Sequence, residues 1–293
     1  MIPAEGTSHP APRRDSTSRD TAALLFTAEM YGVQLDHLAA VLGVSESRAR
    51  GIAAGWRSQR YAESARLGPG GPWTWLTRSG LTACGLPYAP AAPALGRLAH
   101  IRAVAAVRLA LESASRYATA GGYWRSERRL RARMGGRVGL REHIPDGEVH
   151  WPDDAPAPWA GECWAIEVEL TPKTARRTLA IMRELLTRTG DYGGPAAGTA
   201  AAGNQSPGPP RHARVLYLCA PAARPTVARA REALGAPGAR IEIRQLPPGA
   251  AMAPPRGQAA APPRGQAAAP PRGQAAAPPR GPAAAPARGQ AAQ

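Results

Sequence analysis

From Ala253 onward an eight-residue unit recurs: Pro255-Arg256-Gly257, Pro263-Arg264-Gly265, Pro271-Arg272-Gly273, Pro279-Arg280-Gly281 and a degenerate Ala287-Arg288-Gly289. The stretch contains arginine but no aspartate, glutamate, lysine or aromatic residue. A segment with so little to bury does not recover the entropy of ordering its backbone, so residues 248–293 are expected to form a disordered tail with polyproline-like runs. A fold has to be built from what precedes it. The evenly spaced arginines either add weak, salt-sensitive affinity for nucleic acid or are a neutral expansion without function.

The 293 residues allow two domains, or one with appendages, and 44% apolar content suffices for real cores although alanine inflates it. A formal net charge of +16 points to a polyanionic partner, with nucleic acid the default. A membrane is not expected, because no apolar run approaches the roughly 20 residues of a spanning helix. Residues 1–19 lack an apolar core and read as a disordered arm rather than a signal peptide, which implies a cytoplasmic protein. Cys84, Cys163 and Cys219 show neither paired spacing nor a companion histidine cluster, so they read as buried thiols rather than zinc ligands or disulfides.

Residues 20–86 read as a winged helix-turn-helix. An apolar helix over 21–30 is followed by Leu35, Leu38, Ala39 and Leu42 at helical spacing, ending at Gly43. Ser45 is positioned to cap a third helix over 46–61. The Gly/Pro turn 68–72 then lies between two strands of a hairpin. The third helix carries Arg48, Arg50, Arg57 and Arg60, with Ser45, Ser47 and Gln59 as neutral donors, and Arg66 follows in the hairpin. Such a helix suits the major groove, with the hairpin on backbone phosphate. The bland alternative is a solvated basic face. His37 reads as a surface or partly packed histidine.

A Pro/Ala linker over 87–94 leads to a second unit, 95–247, expected to be an α/β domain. Its expected elements are a helix over 95–117, a basic segment over 124–133, strands over 144–151 and 164–170, a helix over 172–189, a loop over 190–212 expected to be mobile, a strand over 214–220, a helix over 225–234 and a strand over 240–246. Thr171 as cap and Pro172 at the first helical position would place Lys173 in the first helical turn.

Lys173 is the only lysine in the chain and follows Glu167 and Glu169 on one strand. Strand alternation puts the two carboxylates on one face and Trp164, Ile166, Val168 and Leu170 on the other. If Asp146 lies on the neighbouring strand, three acids converge, at a cost that a cation or a shared proton must offset. Mg²⁺ fits that role, and Lys173 would orient water or stabilise a pentavalent phosphate. At a helix start the macrodipole opposes a cation by roughly 0.3–1 kcal/mol, which adjacent carboxylates or a phosphate would offset. The alternative is a solvated acidic face paired with arginines.

Taken in order, the winged-helix start, Thr77-Arg78-Ser79-Gly80-Leu81, Leu98-Ala99-His100, Ser126-Glu127, Pro145-Asp146-Gly147 and Glu167 to Lys173 resemble the bacterial replication-relaxation family. The resemblance spans about 20–246 and implies a DNA-binding protein of a plasmid or integrative element, acting in replication or conjugative transfer. A relaxase or replication initiator is the implied protein partner, and a homodimer is compatible. The second unit also resembles the PD-(D/E)xK nucleases. This implies Asp146 and Glu167 as metal ligands and Glu127, or else Glu112, as an acid on the first helix. That pattern wants lysine at position 169, where this chain has Glu169. Either Lys173 supplies the amine to a Mg²⁺-dependent DNA nuclease, or the fold has outlived cleavage. The competing class is a non-enzymatic winged-helix transcriptional regulator or adaptor.

Overall fold

In the computed structural model, residues 18–114, 117, 120–134, 142–192 and 209–251 are described. The repeat tail beyond Ala251, most of the N-terminal arm and the middle of the 190–212 segment lie outside these residues. The chain is an α+β protein. It begins with α1 (Ser18–Glu29), β1 (Val33–Gln34), α2 (Leu35–Leu42), α3 (Glu46–Ser58), β2 (Ala62–Ala65), β3 (Trp73–Leu76) and α4 (Arg78–Ala83). The three strands form an antiparallel sheet in the order β1-β3-β2.

Local chemistry explains the tight joint between α2 and α3. Gly43 takes φ +62, a left-handed geometry that costs glycine little, and its N–H closes the end of α2 on Ala39 and Ala40. Two residues on, the Ser45 hydroxyl accepts the Arg48 N–H and opens α3. Ala49, Ala53 and Trp56 form the buried stripe of α3, so the arginines fall on its outer side. At the exit, Arg60 is left-handed with φ +61, and its carbonyl accepts the Thr77 hydroxyl at 2.5 Å.

The remainder comprises α5 (Leu98–Ser113), β4 (Tyr123–Ser126), α6 (Glu127–Arg133), β5 (Gly147–His150), β6 (Cys163–Glu169), α7 (Ala175–Thr187), β7 (Arg214–Cys219), α8 (Arg224–Glu232) and β8 (Ile241–Gln245). Five strands pair in chain order β4-β5-β6-β7-β8, antiparallel up to β6 and parallel thereafter. Parallel pairing needs a crossover, supplied by α7 between β6 and β7 and by α8 between β7 and β8. Ile166, Val168, Leu216 and Leu218 belong to the same core as Ala103, Val104 and Val107 of α5. Ala165, Val215, Tyr217 and Cys219 pack with Ile181, Met182 and Leu185 of α7 and Val227 of α8.

Three readings of the sequence need correction. The segment 124–133 is not merely basic: it is a strand-to-helix junction at the edge of the sheet, in which the Ser126 hydroxyl caps α6 by accepting the Arg129 N–H. Glu127 therefore opens α6, behind the first strand, whereas Glu112 is the acid on the first helix. The helix after β6 starts at Ala175, because Thr174 rather than Thr171 supplies the capping oxygen. Lys173 lies in the turn before it, free to fold back onto β6.

The two halves of the chain share a core. Residues of α1, α2 and α3 join those of α5 and of β5 and β6 in one apolar cluster, and the described residues fall within one compact unit. Tyr88 and Pro93 of the 87–94 segment are buried within it. Buried arginines tie the halves further: Arg102 reaches Gln34 at 2.6 Å and forks onto Asp36, and Arg128 donates to the Ala28 and Ala89 carbonyls at 2.6 Å each. No helix among the described residues is long and apolar enough to cross a membrane.

Candidate functional site

Pairing between β5 and β6 puts Gly147 opposite Ile166, so Asp146 sits one step beyond, across from Glu167. Gly147 lets this end of β5 approach β4, since a Cβ there would lie 2.1 Å from the Trp124 ring. Asp146, Glu167 and Glu169 thus gather at one end of the sheet. They do not make a solvated acidic face: Glu167 is 2% and Glu169 4% exposed, and Glu148 beside them is fully buried.

Each acid has its own basic partner. His100 of α5 meets Asp146 Oδ1 at 2.7 Å, and the second Asp146 oxygen accepts the Val168 N–H at 2.8 Å. His143 meets Glu167 Oε1 at 2.7 Å. Lys173 folds back to donate to Glu169 Oε1. Glu127 is held by Arg97 at 2.9 Å and Arg131 at 2.7 Å. It shares a small cavity of about 20 Å³ with Asp146, His100 and Arg97, room for about one water.

The environments push the two facing carboxyls apart. Burial raises both, but at Asp146 the hydrogen bond and charge of His100 and the Val168 N–H outweigh it and hold the group below its ordinary value. At Glu167 burial dominates, Asp146 adds repulsion, and the carboxyl is held above its ordinary value despite His143. Burial lowers His143 and His100, yet the facing carboxylates raise both above the usual imidazole value. Two neighbouring carboxyls displaced in opposite directions from their ordinary values is an arrangement that can divide acid and base roles.

The fit to Mg²⁺ is poor. Histidine and lysine already supply the compensation expected from a cation, and both Asp146 oxygens are engaged. Among the described residues, Asp146, Glu167 and Glu169 do not form a group of three ligand atoms all within 4.8 Å of one another.

One such group does exist: Glu148, His150 and Cys163, largely buried, could hold a metal ion. The sequence reading missed it because the companions of Cys163 lie on another strand, where His150 is its register partner. Glu148 is also gripped by Arg211, with Nε on Oε1 at 2.6 Å and Nη2 on Oε2 at 2.7 Å, and by His212 at 2.9 Å. The hydrogen bond to His150, with those to His212 and Arg211, outweighs burial and holds its carboxyl far below the ordinary range. Arg211 and His212 belong to the segment read as a loop, yet His212 is fully buried. His100 stood in the sequence only as the last residue of Leu98-Ala99-His100, and neither it nor His143 was given a role there.

On the other half, Ser45, Ser47, Arg48, Arg50, Arg57, Arg60 and Arg66 are all exposed. Arg66 makes only a local contact to the Gly70 carbonyl, at 3.4 Å. Some arginines elsewhere are consumed in pairs, such as Arg108–Glu29 and Arg102–Asp36. Among the described residues, Arg48, Arg50, Arg57 and Arg60 have no carboxylate partner. His37, read as a surface or partly packed residue, is buried, and burial lowers its pKa. Comparison with known proteins matches no family model, no curated protein and no solved structure.

Proposed function

We propose that this chain is a DNA-binding protein whose contact surface is α3 with the β2–β3 hairpin. The observation that carries the reading is a capped helix presenting three exposed arginines, Arg48, Arg50 and Arg57, with Arg60 at its exit, none with a carboxylate partner among the described residues, beside the neutral donors Ser45 and Ser47. The order helix, strand, helix, helix, strand, strand over 18–76 supports a winged helix, in which α3 enters the major groove and Arg66 meets phosphate. Action in replication or conjugative transfer of a mobile element, alongside a relaxase or replication initiator, rests on the family resemblance.

The α/β half is read as a nuclease-like body that positions the DNA-binding half without cutting DNA. Support comes from the acids themselves, each satisfied by a base of the same chain.

The test is a duplex-DNA titration across salt concentrations. Arg48→Ala combined with Arg50→Ala is expected to weaken binding and reduce the salt slope by about 2, roughly 0.9 per lost phosphate contact. Arg176→Ala with Arg177→Ala, equally exposed on α7, is the control. An equal loss in both pairs would mean nonspecific charge and reject the α3 assignment. Nicking of supercoiled DNA by the wild type in Mg²⁺ or Mn²⁺, abolished by Lys173→Ala, would reject the non-cleaving reading.

A further inference from the structure

Glu148, His150 and Cys163 converge in a way that hydrogen bonding alone satisfies badly. His150 Nε2 lies 2.8 Å from Glu148 Oε2 and 3.6 Å from Cys163 Sγ. Both contacts use the same ring nitrogen, which carries either one hydrogen for the carboxylate or one lone pair for the thiol. The same fact excludes a Cys-His-acid relay, because a relay needs both imidazole nitrogens, one toward each neighbour.

A cation at the centre serves all three atoms at once. A tetrahedral ion with a metal–sulfur bond of about 2.3 Å and a metal–nitrogen bond of about 2.0–2.1 Å separates the two donors by about 3.5 Å. The observed separation of 3.6 Å agrees. The same ion would widen the nitrogen–oxygen pair to about 3.3 Å, a small opening. Thiolate, imidazole and carboxylate together suit zinc, whereas Mg²⁺ takes oxygen donors.

The surroundings complete the comparison. Arg211 and His212 orient the Glu148 carboxylate as outer partners orient a metal ligand, and they leave the Oε2 lone pair now facing His150 for the ion. Tyr123 stacks on the His150 ring with centroids 5.1 Å apart, fixing its plane. Tyr123 is 44% exposed, so this end of the sheet is open to solvent and to a water as fourth ligand.

We propose that Glu148, His150 and Cys163 form a zinc site that pins β5 to β6, with water in the fourth position. On binding, the Cys163 thiol releases its proton to solvent and neutral His150 gives its Nε2 lone pair. The site is independent of the DNA-binding reading.

The experiment is titration of the full chain with cobalt(II) as a spectroscopic probe. A thiolate-to-cobalt charge-transfer band that saturates at one equivalent, is displaced by zinc and is lost in Cys163→Ser is the expected result. Cys84→Ser and, separately, Cys219→Ala keep it. Zinc should also raise the melting temperature of the wild type by several degrees, and His150→Ala should lose that shift. Circular dichroism confirms that the variants fold, and the His150→Ala shift gives a readout independent of Cys163. Absence of the band at stoichiometric cobalt, or a band that survives Cys163→Ser, would overturn the site.

Discussion

Asp146 accepts the backbone N–H of Val168 through one oxygen at 2.8 Å while the other meets His100 at 2.7 Å. The residue most readily taken for a metal ligand is therefore also a peg that joins the end of β5 to β6 and to α5. Asp146→Ala is expected to cost about 2–4 kcal/mol, because it strands a buried N–H and a half-buried imidazole. Asp146→Asn should cost less, since its carbonyl oxygen still accepts from Val168. Denaturant unfolding in the presence of a chelator checks this. An Asp146→Ala protein of wild-type stability would return Asp146 to a purely functional role.

Gly147→Ala should destabilise the protein by about 2 kcal/mol or more, because the new methyl would meet the Trp124 ring at 2.1 Å. The melting temperature reports it, and a rescue by Trp124→Leu in the same background would locate the clash.

Asp36 carries a pH dependence of definite sign. Burial raises its carboxyl, but the Arg102 hydrogen bond and the charges of His37 and Arg102 bring it below the ordinary 3.8. A depressed folded pKa contributes stability that is present above the unfolded value and is lost as pH falls through the folded one. Asp36→Asn should thus cost about 1 kcal/mol near neutrality, discounted because the Asp36 side chain is 41% exposed. The gap between variant and wild type should close below about pH 3.8. A gap that persists unchanged in acid would assign the effect to packing.

Arg60 separates stability from binding. Its left-handed backbone, φ +61, is one that glycine adopts without a Cβ penalty of about 1 kcal/mol. Arg60→Gly should leave the melting temperature unchanged or slightly higher while weakening duplex binding at low salt. A weaker fold with unchanged affinity would take Arg60 out of the contact surface.

The sequence by itself determined the elements whose causes are local. A serine after a glycine set the start of α3, alanines and a tryptophan at helical spacing set its inner stripe, and strand alternation put Glu167 and Glu169 on one face. The winged-helix and nuclease-like readings, by contrast, rest on resemblance and the element order rather than on any matched relative. Even a local reading erred at one cap: Thr171 was expected, but the chain uses Thr174, which leaves Lys173 to turn back to Glu169. How Asp146 and Glu167 are compensated was decided by tertiary structure. His100 and His143 reach Asp146 and Glu167 from other segments, and His150 meets Cys163 only through the β5–β6 register. Side-chain period and capping act within a few residues and leave their mark in the sequence. Strand register and the packing of α5 on the sheet join residues far apart in the chain, and a single sequence carries no local mark of which distant base will meet which acid.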